Sequence, residues 1–234
     1  MLRLARDRLL LPAGMAGLII LALAYWWLDN APHEIFGTAM FGLLAWHLIM
    51  NRRWFLKLRG RGGRYDAHRW LVLVTHAWLG ITMAVLVVTS VLISRSVLNF
   101  AQFTDNVSII ELHWFSAYWV AIIIAVHAGT HWTRVMTVAA NVFGLSPSVI
   151  GTVVLRLIAG LLLGFGAWSF AVLGVSTRLM FGYSLEFWDF TKAVSPFFAH
   201  WAAVMAGGTV LSHYAMVSLR SVDKFRTPTT KGQT

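Results

Sequence analysis

Apolar residues in this chain come in long blocks separated by short polar pieces. Six blocks stand out, at roughly 11–28, 33–51, 69–94, 111–132, 148–174 and 196–218. Each approaches or exceeds the length needed to cross a hydrocarbon layer of about 30 Å, which takes about 20 helical residues. No stretch alternates apolar and polar positions as a strand would, and none is of low complexity. The pattern predicts an all-α integral membrane bundle of six transmembrane helices in one domain, 1–234.

The separators read as loops. They are "NRRWFLKLRGRGGRYDAHR", "SRSVLNFAQFTDN", "NVFGLSPS" and "STRLMFGYSLEFWDFTKAVSP". Pro147 and Pro196 stand where a helix should begin, which suits a fixed φ and a missing N–H. The first block ends in "LAYWWLDN", with no small-residue cleavage site, and reads as a retained span rather than a signal.

Composition agrees with the pattern. The chain is 58% hydrophobic and its mean hydropathy is +0.69. It has no cysteine, which excludes disulfides, iron–sulfur clusters and haem attached through C-x-x-C-H. A net charge of +10 invites a nucleic-acid reading, but the charges are sorted by loop. One side collects Arg3, Arg6, Arg8, Arg52, Arg53, Lys57, Arg59, Arg61, Arg64, Arg69 and Arg134, then Arg220, Lys224, Arg226 and Lys231. The other holds Arg95, Arg178 and Lys192 beside Asp29, Glu34, Asp105, Glu111, Glu186 and Asp189. Basic loops stay inside, so both termini are expected in the cytoplasm and nucleic acid is not an expected partner. Trp26, Trp27, Trp54, Trp70, Trp114, Trp132 and Trp188 fall near block ends, as an aromatic belt does.

Candidate chemistry rests on histidine. "HEIFGTAMFGLLAWH" runs from His33 to His47, and "HWFSAYWVAIIIAVH" from His113 to His127. Both pairs are fourteen residues apart. That is close to four helical turns, so each pair leaves one helix face, with Cα atoms roughly 21 Å apart along the axis. The second and fourth spans run in the same direction. His33 and His113 therefore share an outer depth, and His47 and His127 an inner one. Two helices that face each other would oppose two pairs of imidazoles, and each pair could hold a metal from both sides. A porphyrin iron needs two such axial ligands, so the expected cofactor is haem b, two per chain and non-covalent. Filled axial positions favour electron transfer over catalysis at the iron. Arg95 outside and Arg52, Arg53 or Arg134 inside suit the propionates. Gly37, Gly42 and Gly129 suit either a macrocycle or close helix packing.

The remaining histidines are less specific. His131 follows His127 by one turn and is a rival inner ligand, although it breaks the match in depth with His47. His200 and His213, thirteen apart, point to different faces unless the helix bulges. A fourteen-spaced pair joined to a thirteen-spaced one is nonetheless similar to the membrane domains of ferric reductases and NADPH oxidases, which makes the fourth and sixth spans a rival ligand set. His68 and His76 read as interfacial, with a quinone site or proton path as the minor reading. Arg156 reads as snorkelling from the fifth span to the interface.

Several phrases taken together resemble a bacterial membrane family known only as a domain of unknown function, whose members resemble b-type cytochromes. They are an H-E-x-x-G opening (His33, Glu34, Gly37), a histidine before N-R-x-W (His47, Asn51, Arg52, Trp54) and an S-R pair (Ser94, Arg95). L-H-x-x-x-x-Y-W leading to H-x-G-x-H-W follows (His113, Tyr118, Trp119, His127, Gly129, His131, Trp132). The resemblance covers about 30–133 and leaves the added helices of 148–218 outside it. It implies haem binding and redox partner subunits, flavin- or haem-carrying.

The expected function is thus a di-haem cytochrome b carrying electrons across the bacterial inner membrane. No Gly-rich dinucleotide motif is present, so electrons must come from a quinol or a partner subunit. Two other classes stay open: a ferric- or quinone-reducing membrane enzyme, and a non-redox anchoring or assembly subunit.

Overall fold

The computed structural model describes residues 2–58, 67–101, 104–146, 148–182 and 188–226. Among them every regular element is helical: α1 (Leu2–Leu23), α2 (Tyr25–Leu28), α3 (Asn30–Leu58), α4 (Ala67–Ile93), a 3₁₀ turn at Asn99–Ala101, α5 (Val107–Thr130), α6 (Trp132–Phe143), α7 (Val149–Val172), α8 (Val175–Leu179) and α9 (Val194–Arg226). Some features weighed in the sequence lie outside the described residues or side chains. These are Arg3, Arg6, Arg8, Trp54, Lys57, Arg59, Arg61, Arg64, Pro147, Glu186, Lys224, Arg226 and Lys231.

Among the described residues four helices are long and apolar enough to cross a membrane: Ala67–Ile93, Val107–Thr130, Val149–Val172 and the part Val194–Ser221 of α9. They match the third to sixth blocks of the sequence. Their apolar surface is mostly turned away from the protein; Ile150 and Leu161 of α7 are 78% and 73% exposed. In water such a face would be costly, whereas a hydrocarbon layer covers it at no penalty. The chain is a membrane protein.

The first two blocks differ from that pattern for identifiable reasons. Within the described side chains the apolar part of α1 is Leu9–Leu23, shorter than the roughly 20 residues a span takes. In α3 the run is diluted by Asn30, His33, Glu34, His47, Asn51, Arg52 and Arg53. The first block is also interrupted. α1 stops at Leu23, α2 is a single turn, and Asp29 takes φ 68° before α3 starts. A non-glycine residue with positive φ is uncommon, and it marks a forced reversal of the chain.

The bundle is assembled from a few packed pairs: α1 with α3, α4 with α5, α5 with α9, and α7 with α9. α3 leans on α1 and makes no comparable packing against α4 or α5. The buried centre forms where α5, α8 and α9 meet, around Val120, Val175 and Trp201, the last only 1% exposed. Tyr118 meets Trp201 edge-on with centroids 5.4 Å apart. Glycines permit the closest helix contacts. A Cβ on Gly166 would lie 2.7 Å from the Ala203 carbonyl, and one on Gly129 would lie 2.5 Å from both Ser212 Cβ and the Thr209 carbonyl. Gly129 is therefore a packing residue between α5 and α9.

The ends of the helices are locally encoded. Asn106 caps α5 by accepting from the Ser108 N–H at 2.8 Å, and Ser148 caps α7 by accepting from Gly151 at 3.0 Å. Pro196 sits in the first turn of α9, as expected. The fourth block does not run unbroken to 132: α5 ends at Thr130 and α6 begins at Trp132, with His131 between them.

Candidate functional site

Two groups of histidines lie inside the bundle, and α4 and α5 contribute to both. On α3, His33, Gly37, Met40, Leu44 and His47 follow one face, and on α5 His113, Ala117, Val120, Ile124 and His127 do the same.

The first tier is His33 with His113. Their ring centroids lie 6.0 Å apart with planes at 72°. Two imidazoles gripping one ion from opposite sides, each with a nitrogen about 2 Å from it, have ring centres roughly 6 Å apart. His113 is 8% exposed. Its Nδ1 lies 3.2 Å from Thr89 Oγ1 and 3.5 Å from Ser90 Oγ. Both hydroxyl protons are already committed: Thr89 donates to the Val85 and Leu86 carbonyls, Ser90 to Leu86. The hydroxyls therefore accept from an Nδ1–H, and the neutral ring keeps its lone pair on Nε2. His33 is fixed the same way, its Nδ1–H donating to the Ala22 carbonyl at 2.7 Å. That carbonyl lies in the last turn of α1, where the helix has no further N–H to offer. The break between α1 and α2 thus creates the acceptor that orients His33.

Glu34 holds this arrangement at its margin. Its carboxylate accepts from Ser94 Oγ, from the backbone N–H groups of Arg95, Ser96 and Val97, and from Asn30 Nδ2, at 2.7 to 3.2 Å. It therefore ties the start of α3 to the chain leaving α4. The side chain of Arg95, a candidate propionate partner, donates instead to Asp105 at 2.7 Å in an exposed ion pair.

The second tier is larger than the sequence suggested. His76 of α4 meets His127 at 4.8 Å and His131 at 5.5 Å between centroids, and His127 meets His131 at 4.9 Å. One ring nitrogen of each lies within 4.8 Å of the others. His47 is an electrostatic neighbour of all three. His76 Nδ1–H donates to the Val72 carbonyl at 2.6 Å, which places that ring's lone pair on Nε2. His127 Nδ1 is different. Among the described residues it is the buried side-chain polar atom with no hydrogen-bond partner, a condition costing about 1–3 kcal/mol when nothing fills it. Beside the tier a cavity of about 270 Å³ is lined by Thr130, His131, Thr133, Arg134, Thr137 and Arg220. Arg52 and Arg53 are exposed at the end of α3.

The fit to haem differs between tiers. The first offers two imidazoles with centroids 6.0 Å apart, each tied at Nδ1, and Gly37, one turn from His33, has open space where a Cβ would stand. The second does not single out one axial pair. Gly42 lies on the far side of α3 from the histidine face, so its role there is not that of a cradle. His200 belongs to neither tier: it is bonded to Ser169 at 2.8 Å and surrounded by Phe165, Trp168 and Trp188. His213 meets Tyr214. His68 accepts from Arg220 at 2.7 Å.

Sequence reasoning missed Thr89 and Ser90, and read His76 as interfacial. The missing signal was present, because His76 and Ser90 are themselves fourteen apart on α4. Comparison with known protein families, with characterised proteins and with solved structures finds no match for this chain.

Proposed function

We propose that the chain is a membrane-embedded electron carrier of b-cytochrome type. In this reading six helices cross the bacterial cytoplasmic membrane, α1 and α3 completing the four longer spans, with both termini in the cytoplasm. Three features support the crossing by α3: its 29 residues, which amount to about 43 Å of helix, its packing on α1, and the basic residues at its end.

The observation that carries the proposal is the orientation of the first tier. Two imidazoles from separate helices stand at a separation suited to one ion between them, each with Nδ1–H tied to the protein and Nε2 left as the coordinating atom. Haem b held there by His33 and His113 would supply a one-electron couple. The chain's own residues do the rest. Thr89, Ser90 and the Ala22 carbonyl hold the rings in one tautomer, which raises ligand basicity. Glu34 fixes the distance between α3 and α4. Burial of His113 excludes water. Met40, Leu44, Val120 and Ile124 put apolar side chains on the two faces between the tiers. The donor and acceptor would be a quinone or a partner subunit, flavin- or haem-carrying.

The test is a reduced-minus-oxidised absorption spectrum of the full chain, purified from cells with ample haem. A b-type band absent from His33→Ala and His113→Ala protein is expected. Folded wild-type protein without such a band would overturn the proposal.

A further inference from the structure

The second tier holds one imidazole too many for the cofactor expected of it. A porphyrin occupies the four equatorial positions of its iron and leaves two axial ones. His76, His127 and His131 each bring a nitrogen within 4.8 Å of the other two. With two of them axial, the third would stand in the volume of the macrocycle. An ion without a macrocycle meets no such conflict: three imidazoles can close on it from one side, with a fourth position left to His47 or water.

We propose that His76, His127 and His131 form a binding site for a single non-haem transition-metal ion, distinct from the haem of the first tier. Two of the ligands, His127 and His131, are one turn apart at the end of α5, a spacing that presents both on one side. The third comes from α4, which packs along α5. The orphaned Nδ1 of His127 is an independent sign that the tier is incomplete without a ligand. The donor set selects the ion. The cluster contains no carboxylate, and the chain has no cysteine, so hard ions that demand oxygen and soft ions that demand thiolate are both disfavoured. Arg134 is an electrostatic neighbour of His131 and opposes any bound cation. A site that succeeds against that field needs strong imidazole coordination, and among divalent first-row ions copper leads, ahead of zinc.

The inference does not depend on the electron-carrier reading, and one experiment separates the two. The full chain is purified in detergent, its haem is counted by absorption, and metal-stripped protein is titrated with Cu²⁺ and with Zn²⁺. One ion per chain is expected, with nitrogen superhyperfine structure from at least three imidazoles in the Cu²⁺ electron paramagnetic resonance spectrum. His76→Ala and His131→Ala should each weaken binding by more than about 100-fold, beyond what loss of an outer-shell partner causes. Haem bound by His33 and His113 should be unchanged in both and serves as the check on folding. His76→Asn, closer in polarity, gives the same loss if the ring nitrogen is a ligand. Two haems per chain, or Cu²⁺ affinity unaltered by His76→Ala in folded protein, would overturn the metal site and leave the carrier standing. Normal Cu²⁺ binding by folded protein without haem would do the reverse.

Discussion

The two tiers share one residue type and both draw on α4 and α5, yet they are finished differently. In the first, each ring is aimed by a hydrogen bond from its Nδ1: His33 to a helix-end carbonyl, His113 to two hydroxyls. In the second, His76 is anchored, but His127 Nδ1 is buried without a partner and His131 sits at the break between α5 and α6. The protein itself pre-organises one tier and leaves the other to be completed. A ligand site of the first kind holds its geometry when empty; one of the second kind gains order on binding.

The sharpest way to break that comparison is to remove a first-tier ring. His113→Ala should abolish the haem absorbance altogether, while Cu²⁺ binding at the second tier persists; loss of both would show the tiers to be one site. Thr89→Val is gentler. It leaves the axial ring in place but removes its orienting hydroxyl, so haem affinity should fall about 10–100-fold, the usual cost of losing such a partner. The readout is haem retention during dilution.

Stability measurements sharpen the contrast further. Gly129→Ala forces a Cβ to within 2.5 Å of Ser212 Cβ and the Thr209 carbonyl, and overpacking of this kind costs about 1–3 kcal/mol. Because Gly129 lies between His127 and His131, second-tier metal binding should weaken while first-tier haem is spared. Glu34→Gln loses the charge that gathers Asn30, Ser94, Arg95, Ser96 and Val97. A loss of about 1–3 kcal/mol is expected, with the first tier loosened and the second unaffected. The smallest effect should come from Arg95→Ala. Its ion pair with Asp105 is exposed, so the melting temperature should move by the equivalent of about 0–1 kcal/mol.

Much of this organisation was readable before any coordinates. Four apolar blocks became α4, α5, α7 and α9, because long hydrophobic runs leave a helix in a membrane no other choice. The fourteen-residue spacing set His33 and His47 on one face of α3, and His113 and His127 on one face of α5, since helical periodicity fixes face and rise at once. The remainder depended on which helices are neighbours. Thr89 and Ser90 orient His113 only because α4 packs on α5, and nothing local in "VVTSVL" announces that. His76 was undervalued for the same reason: its histidine partners belong to another helix. The helix break at His131 was hidden as well, because "HAGTHW" contains no proline and its glycine serves the contact with α9. The role of Glu34 needed the chain after α4 to fold back over it.

One property of α4 has a wider consequence. It is a single helix from Ala67 to Ile93 and carries His76 at one level and Thr89 with Ser90 at the other. A small roll of this rod about its long axis would swing a ligand out of the lower centre and unhook the orienting hydroxyls of the upper one in the same stroke. The same rod sets the relative heights of the two centres: the thirteen residues from His76 to Thr89 amount to about 20 Å of helix, a spacing that does not depend on what occupies either one.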